Sequence, residues 1–263
     1  MKRYARSHLT SKWLKTKAIL SDAKVRGWVP ETRLLSFSTL RPMLGRYGMV
    51  YVKPVSGTYG RGVMRVEAHP RAYTYQIDQK KRSFSTIEAM YRSVIRHKHK
   101  RRYLVQRGIR LLKYKGRRFD IRVMVQRNPR GSWETTGIIG RVAPPKKIVT
   151  NYHSGGKPTA LHTLLAPLAP SPVRARIESR LASIGYEAAQ ALRRVYPGVN
   201  MVGADIGLDT AFRPWIIELN TSPDPYLFRF LKDKRIHRKV LRYARALGRI
   251  PPASSRRRRV RRR

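Results

Sequence analysis

The sequence contains no cysteine, so it can build no disulfide framework, no thiolate nucleophile and no cysteine-bound zinc, and its redox compartment stays open. It is also short of acid. Only 14 Asp+Glu stand against 59 Lys+Arg, a formal net charge of +45. So basic a chain points to a polyanion or an acidic surface among its partners. Nucleic acid, an acidic polypeptide and an anionic membrane surface all qualify, and charge alone does not choose among them. No apolar run approaches the roughly 18 residues of a membrane span. The N-terminal stretch MKRYARSHLTSKWLK is charged and lacks the apolar segment of a signal peptide. A soluble, cytoplasmic protein is therefore the default expectation. What is present is a hydrophobic fraction of 41% over 263 residues, enough for one large domain or two closely joined lobes.

The scarcity of acid makes one stretch stand out. Asp205, Asp209, Glu218 and Asp224 all fall between Val202 and Pro225. The pattern predicts a β-hairpin: a strand over Met201 to Leu208, turn residues over Asp209 to Pro214, and a second strand over Pro214 to Asn220. Alternation puts Ile216, Glu218 and Asn220 on one face and Trp215, Ile217 and Leu219 on the other. A turn centred near Ala211 and Phe212 sets Asp205 roughly opposite Glu218. Two carboxylates and an amide oxygen then converge, and like charges that close repel unless a cation lies between them. An all-oxygen set without His or Cys suits a hard ion such as Mg²⁺. The competing reading pairs these acids with the abundant arginines, and the hairpin by itself leaves the two about level.

A second stretch has phosphate-binding character. β-rich runs from Met49 to Val66 flank a loop holding Ser56, Gly57, Thr58, Gly60 and Gly62. Glycines let successive backbone N–H groups approach an anion, and Lys53 at the end of the incoming strand supplies a point charge. The loop lacks the GxxxxGK[ST] spacing and leads into a strand, so it is no Walker loop. An ordinary glycine-containing hairpin is the alternative.

The rest of the chain reads as scaffold around these two. A basic amphipathic helix is predicted from Ser7 to Arg26, stopped by Gly27 and Pro30. Ser85-Thr86-Ile87-Glu88 reads as a capping box opening a helix through Met90, Tyr91, Val94 and Ile95. His97 and His99 sit in the basic run that follows and are expected to be solvated. Tyr103 to Gln106 is a short buried strand leading into Arg107-Gly108-Ile109. Arg118 to Gln126 alternates, with Asp120, Arg122, Met124 and Gln126 on one face and Trp133 to Val142 as its partner. An Asp-x-Arg face is either a structural ion pair or an arginine held for phosphate or carboxylate. Thr150 to Gly156 is a polar loop with a Gly pair. Nothing marks His153 or His162 as a base. Ser171-Pro172 opens a long core helix that closes at Pro197-Gly198. Leu227 to Leu247 is a second basic amphipathic helix, and the chain ends in RRRRVRRR, by default a disordered tail and at most a polyanion contact.

Five of these features occur in one order: Lys53-Pro54 with its glycine loop, Gln106-x-Gly108-Ile109, Phe119-Asp120-x-Arg122, Thr150-Asn151 with Gly155-Gly156, and Asp205 with Glu218-x-Asn220. The series resembles the ATP-grasp superfamily, most closely the YheC/YheD family of endospore coat-associated ATP-grasp proteins, over roughly Leu40 to Leu231. The resemblance implies an α+β fold in which two lobes with antiparallel sheets grip ATP. Lys53, Ser56, Gly57, Gly60 and Gly62 would cover the phosphates, and Gln106, Arg107, Gly108 and Ile109 would form the hinge beside adenine. Asp205, Glu218 and Asn220 would ligate Mg²⁺. Arg122, Arg141 and Asn151 would lie near the transferred phosphate and the acceptor.

The implied organisation is a basic helical segment (residues 1–40), an ATP-grasp domain (41–250) and an arginine-rich disordered tail (251–263). The domain divides into a nucleotide-covering lobe (41–105) and a metal-binding, catalytic lobe (106–250), with no full Rossmann-like lobe before it. The implied chemistry is phosphorylation of a carboxylate to an acylphosphate, which an amine then attacks. Pro214 to Pro223 also resembles tubulin-tyrosine-ligase-like ATP-grasp enzymes, which add amino acids to acidic protein tails, so an acidic polypeptide or other polyanion is the implied acceptor. Two other classes stay open: a non-catalytic, spore-coat-associated protein that keeps ATP binding, and a nucleic-acid binder working through the arginine tail.

Overall fold

The structure is a computed structural model that describes residues 10–98 and 101–252. Two antiparallel sheets carry it. The first part of the chain runs α1 (Lys12–Leu20), β1 (Thr32–Leu34), α2 (Phe37–Tyr47), β2 (Met49–Pro54), β3 (Met64–His69), β4 (Ala72–Ile77), β5 (Lys80–Phe84), α3 (Ile87–Lys98) and β6 (Tyr103–Arg107). Its strands form a sheet in the order β1-β6-β2-β3-β4-β5. Leu40, Met43 and Leu44 of α2 and Met90 and Val94 of α3 bury against Val50, Val52, Met64, Val66 and Tyr75 of that sheet. The second part runs β7 (Lys113–Tyr114), β8 (Arg117–Arg127), β9 (Trp133–Val142), β10 (Lys157–Thr159), α4 (Leu161–Leu165), α5 (Ser171–Val195), β11 (Met201–Leu208), β12 (Pro214–Asn220) and α6 (Lys234–Ala246). Here the order is β10-β9-β8-β11-β12, with β7 paired to β8. Together these make the α+β architecture that the motif series implied.

Strand alternation divides the labour of the second sheet. Phe119, Ile121, Val123 and Val125 of β8 face α5 and meet Leu181, Ile184, Ala188 and Leu192. The opposite face carries Asp120 and Arg122 at one end and Met124 and Gln126 at the other. At the Met124 end, Leu227, Phe228, Val240 and Ala244 cover the sheet. At the Asp120 end the sheet forms the floor of a cleft.

Several boundaries differ from the sequence expectation. α1 is shorter than the predicted Ser7–Arg26 helix: Ser11 caps its start and it closes at Ser21, after which Arg26–Trp28 forms a separate 3-10 turn. The helix is not a detached basic segment, because Ala18 and Ile19 are part of the core beneath α5. The boundary expected between residues 40 and 41 falls inside α2, and that between 105 and 106 falls inside β6. Thr86, not Ser85, caps α3, accepting from the Ala89 N–H at 3.2 Å. His97 is not solvated; its Nδ1 lies 3.1 Å from the Tyr75 hydroxyl and 3.0 Å from the Ser93 carbonyl, since α3 turns that face toward β4. His99 lies outside the described residues. The last helix starts at Lys234, not Leu227, because Asp224 and then Asp233 cap two separate turns. Residues 253–263 of the tail also lie outside the described residues. No helix among the described residues is long and apolar enough to cross a membrane.

Gly137 on β9 is where the covering layer locks onto the sheet. A Cβ there would stand 2.6 and 2.7 Å from ring carbons of the fully buried Phe228 and 3.1 Å from Ile236 Cγ2. Gly137→Ala is therefore expected to cost about 1–3 kcal/mol by overpacking, read as a lower midpoint in urea unfolding.

Candidate active site

A cleft of about 320 Å³ opens between the two sheets. Its floor is a row of charged side chains placed by strand register. Arg141 on β9 stands opposite Asp120 on β8, Arg122 on β8 opposite Asp205 on β11, and Asp205 opposite Glu218 on β12. The last pairing is the one the hairpin pattern predicts. Arg122 grips Asp205 with two bonds, Nε to Oδ1 at 2.6 Å and Nη2 to Oδ2 at 3.1 Å. Arg141 holds Asp120 the same way, at 2.9 and 2.5 Å, and also reaches Asp205 Oδ1 at 3.1 Å. The expected Asp120–Arg122 pair is thus replaced by two cross-strand pairs. Gly203 makes this possible, because a Cβ there would lie 3.0 Å from Arg122 Cδ and 2.7 Å from Pro223 Cβ. Burial pushes the Asp205 carboxyl up, but the two guanidiniums beside it outweigh burial and hold it below the usual carboxylate range.

The hairpin departs from simple alternation at one point. Asp205 pairs with Glu218 but Ile206 pairs with Ile216, so Ile217 is the extra residue of a β-bulge. The bulge brings Ile217 into the cleft beside Glu218 and Asn220 and leaves Ile216 in the core, the reverse of the predicted faces. It also aims the Ile217 carbonyl at Lys53, whose Nζ donates to it at 3.0 Å and to Gln106 Oε1 at 2.8 Å. Lys53 thereby ties β2 and β6 to β12. Burial depresses its pKa to about 8, and the nearby Glu218 only partly offsets this.

Sequence reasoning missed Lys12. At the start of α1, its ammonium donates to the Gly57 carbonyl at 2.7 Å and pairs with Glu218 at 3.1 Å. Lys15, one turn on, is also buried, and burial lowers its pKa. A signal was available, because Lys12, Lys15, Ala18 and Ile19 form one buried stripe at helical spacing. Two lysines inside an apolar stripe need an anionic environment. His153 was missed as well. Its ring packs at a tilt against Tyr59, centroids 4.6 Å apart, and its Nε2 lies 3.8 Å from Asp224, while the Ser154 hydroxyl donates to the Tyr59 carbonyl at 2.5 Å. The glycine loop and the Thr150–Gly156 loop therefore meet over the cleft. Gly60 is part of this closure, since a Cβ there would clash with Asn151 Oδ1 at 2.9 Å.

Among the predicted residues, Lys53, Gly57, Gly60, Gln106, Arg107, Ile109, Arg122, Arg141, Asn151, Asp205, Glu218 and Asn220 all line the cleft, while Ser56, Gly62 and Gly108 do not. Ser56 is exposed. Gly62 gives room to the Tyr103 hydroxyl, and Gly108 to Met49. Arg107 is stacked between Tyr47 and Trp215, 5.0 and 4.6 Å from their centroids. Asp209 and Asp224 do turn work: Asp209 accepts from Ala211, Arg213 and the Trp215 indole, and Asp224 from the Tyr226 N–H.

The donor chemistry fits Mg²⁺ shared with phosphate, an ion that takes one or two carboxylates and completes its shell from water and substrate oxygens. Asp205 and Glu218 are such carboxylates, and Asn220 adds an amide oxygen; its Nδ2 donates to Asp205 at 3.2 Å. Among the described residues no group of three or more His, Cys, Asp or Glu side chains could hold a metal ion. A family model described as YheC/D like ATP-grasp matches residues 2–247.

The chain belongs to the YheC/D-like ATP-grasp family.

Its relatives include the endospore coat-associated proteins YheD and YheC of Bacillus subtilis (strain 168), each 23% identical, matched over 83% and 82% of this chain. The chain spans only 49% and 60% of their lengths. Among solved structures, D-cycloserine synthetase DcsG superposes with TM-score 0.56 at 16% identity, covering 91% of this chain and 69% of that one. The D-alanine-D-alanine ligase from Coxiella burnetii superposes with TM-score 0.51 at 14% identity, covering 92% and 58%. At such identities the likeness establishes the fold, which is that of ATP-grasp ligases and one generally associated with ATP and Mg²⁺.

The buried Lys53 makes stability depend on pH. Its folded pKa of about 8 lies below the ordinary 10.5, so between those values the unfolded chain binds more protons and stability rises with pH. Urea unfolding of the protein from about pH 8 to about pH 10 should show that rise, and Lys53→Met should flatten it.

Proposed function

We propose that this YheC/D-like protein is an ATP- and Mg²⁺-dependent carboxylate–amine ligase acting on an acidic acceptor. The observation that carries the reading is the Arg141–Asp120, Arg122–Asp205–Glu218 row on one sheet, flanked by Lys12 of α1 and facing Lys53 and the glycine loop of the other sheet across one cleft. In this reading the first sheet covers the nucleotide and the second holds metal and acceptor. Asp205, Glu218 and Asn220 would hold Mg²⁺, which supplies charge neutralisation to the phosphates. Lys53 and Lys12 bind phosphate oxygens, and the backbone at Gly57 and Gly60 closes over them. Arg141 and Arg122 neutralise charge on the transferring phosphoryl group and orient the acceptor carboxylate. Asn151 lies on the loop that closes the acceptor side.

The chemistry balances simply. An acceptor carboxylate oxygen attacks the γ-phosphorus, ADP leaves, and an amine displaces phosphate from the acylphosphate to form an amide. Little covalent work falls to the protein, which contributes positioning and charge. Excess positive charge steers an acidic polypeptide or other polyanion to the cleft. By the names of its relatives, we place the protein in association with the endospore coat.

A second reading, a coat-associated protein that binds ATP without turnover, is favoured by one observation. The acids are already paired within the chain, Glu218 with Lys12 and Asp205 with two arginines. Mg²⁺-dependent ADP release measured over a panel of acidic peptides with amine donors decides between them. Turnover should fall by about 10²-fold or more in Lys53→Ala and Glu218→Ala. Equal turnover in both variants defeats the ligase reading, and calorimetric ATP binding with no turnover on any acceptor supports the second.

A further inference from the structure

The cleft does not account for the charge of this protein. α6 carries Lys234, Arg238, Arg242 and Arg245 at i, i+4, i+8 and i+11, which a 3.6-residue period gathers into one stripe. Lys234, Arg238 and Arg242 are exposed and Arg245 is half-buried. Val240, Tyr243 and Ala244 on the other side are buried, and Val240 and Ala244 join Met124, Leu227 and Phe228 in a core cluster. Flanking charges are satisfied internally, Arg235 by Asp233 at 3.0 Å and Lys239 by Glu134 at 2.8 Å. Among the described residues, Arg238, Arg242 and Arg245 pair with no carboxylate. Arg249 follows one residue after the left-handed Gly248 that ends the helix, and the sequence then runs to the seven arginines of residues 256–263.

We infer that the outer face of α6 is a docking surface for the phosphate backbone of a nucleic-acid duplex. The surface has the guanidiniums that hold phosphate bidentately and none of the aromatic or aliphatic anchors that a protein partner requires at the centre of an interface. A membrane is disfavoured by the same structure. An interfacial helix inserts its apolar face, and that of α6 is spent on the core. From Lys234 to Arg245 the helix rises about 16 Å, a length over which a duplex presents roughly nine or ten phosphate charges. The stripe offers no exposed ring on which single-stranded bases could stack, because Tyr243 is buried, with Arg242 at 5.3 Å from its centroid. Binding there is electrostatic, indifferent to base sequence and independent of the ligase reading.

The test is fluorescence anisotropy of the full chain with a labelled duplex of about 20 base pairs, between about 50 and 200 mM NaCl. The affinity should fall linearly on a log–log plot. The triple variant Arg238→Gln, Arg242→Gln, Arg245→Gln should bind at least about 10-fold more weakly at 100 mM NaCl, with a slope shallower by about 2 to 3. The triple Arg→Lys variant keeps the charge and should keep most of the affinity, which separates lost contacts from a damaged fold. A Gln variant that binds as the parent does, or complete loss of binding on deleting residues 256–263 alone, overturns the proposal. Displacement of the duplex by polyglutamate at equal charge, or tighter binding to phosphatidylserine vesicles than to duplex, overturns it in favour of those partners.

Discussion

Arg141 and Arg122 share the Asp205 carboxylate at the bottom of the cleft, and the remaining geometry of the site follows from that contact. Both arginines and both aspartates of the group are nearly inaccessible to water. Ions so placed are tolerable only when geometry is good and every partner is present. Removing one leaves a buried charge uncompensated, a loss of about 3–5 kcal/mol in comparable cases. The register of four strands is thereby held to one solution, since a slip of one residue would carry every charge to the α5 face. The Ile217 bulge is tolerated inside this scheme because it lies between the fixed pairs and turns a carbonyl toward Lys53.

The two sheets are joined by the same currency of charge. Lys53 crosses from β2 to the bulge on β12, and Lys12, on the helix packed with α5, crosses to the Gly57 carbonyl of the glycine loop. Neither ammonium is in an easy place: burial strips its hydration and only a carbonyl, an amide and a carboxylate replace it. Phosphate oxygens are better partners for both. In the proposed function, nucleotide binding would be an exchange, in which the lysines leave protein acceptors for phosphate and the freed Glu218 carboxylate turns to a divalent cation. A site poised in this way admits anions without first opening the fold.

The basic excess is distributed for two purposes. Inside, the buried Lys12, Lys15, Lys53, Arg122 and Arg141 share the buried Asp120 and Asp205 and the half-buried Glu218 with carbonyl and amide acceptors. Outside, on α6, cations are left unmatched along one face. The mutual repulsion of those charges opposes folding.

By itself the sequence determined the periodic elements and the acid hairpin. Strand alternation in Arg118–Gln126, the long stripe of Ser171–Val195 and the turn at Asp209–Pro214 are local patterns, and local sterics and hydrogen bonding suffice to set them. The spacing of Asp205, Glu218 and Asn220 was legible for the same reason, as was the ATP-grasp order of the motifs. Tertiary structure alone decided which charge answers which. Asp120 and Arg122 are neighbours in sequence, yet each takes its partner from a different strand, because side chains across a ladder are closer than those two apart along one. It also decided that α1, read as a basic amphipathic helix, buries Lys12 at the cleft and Lys15 one turn on, since burial depends on what lies opposite and not on the helix itself. Ser56, Gly62 and Gly108 show the converse: their spacing matches a motif, yet they do not line the cleft, Ser56 being exposed and the two glycines lying against Tyr103 and Met49.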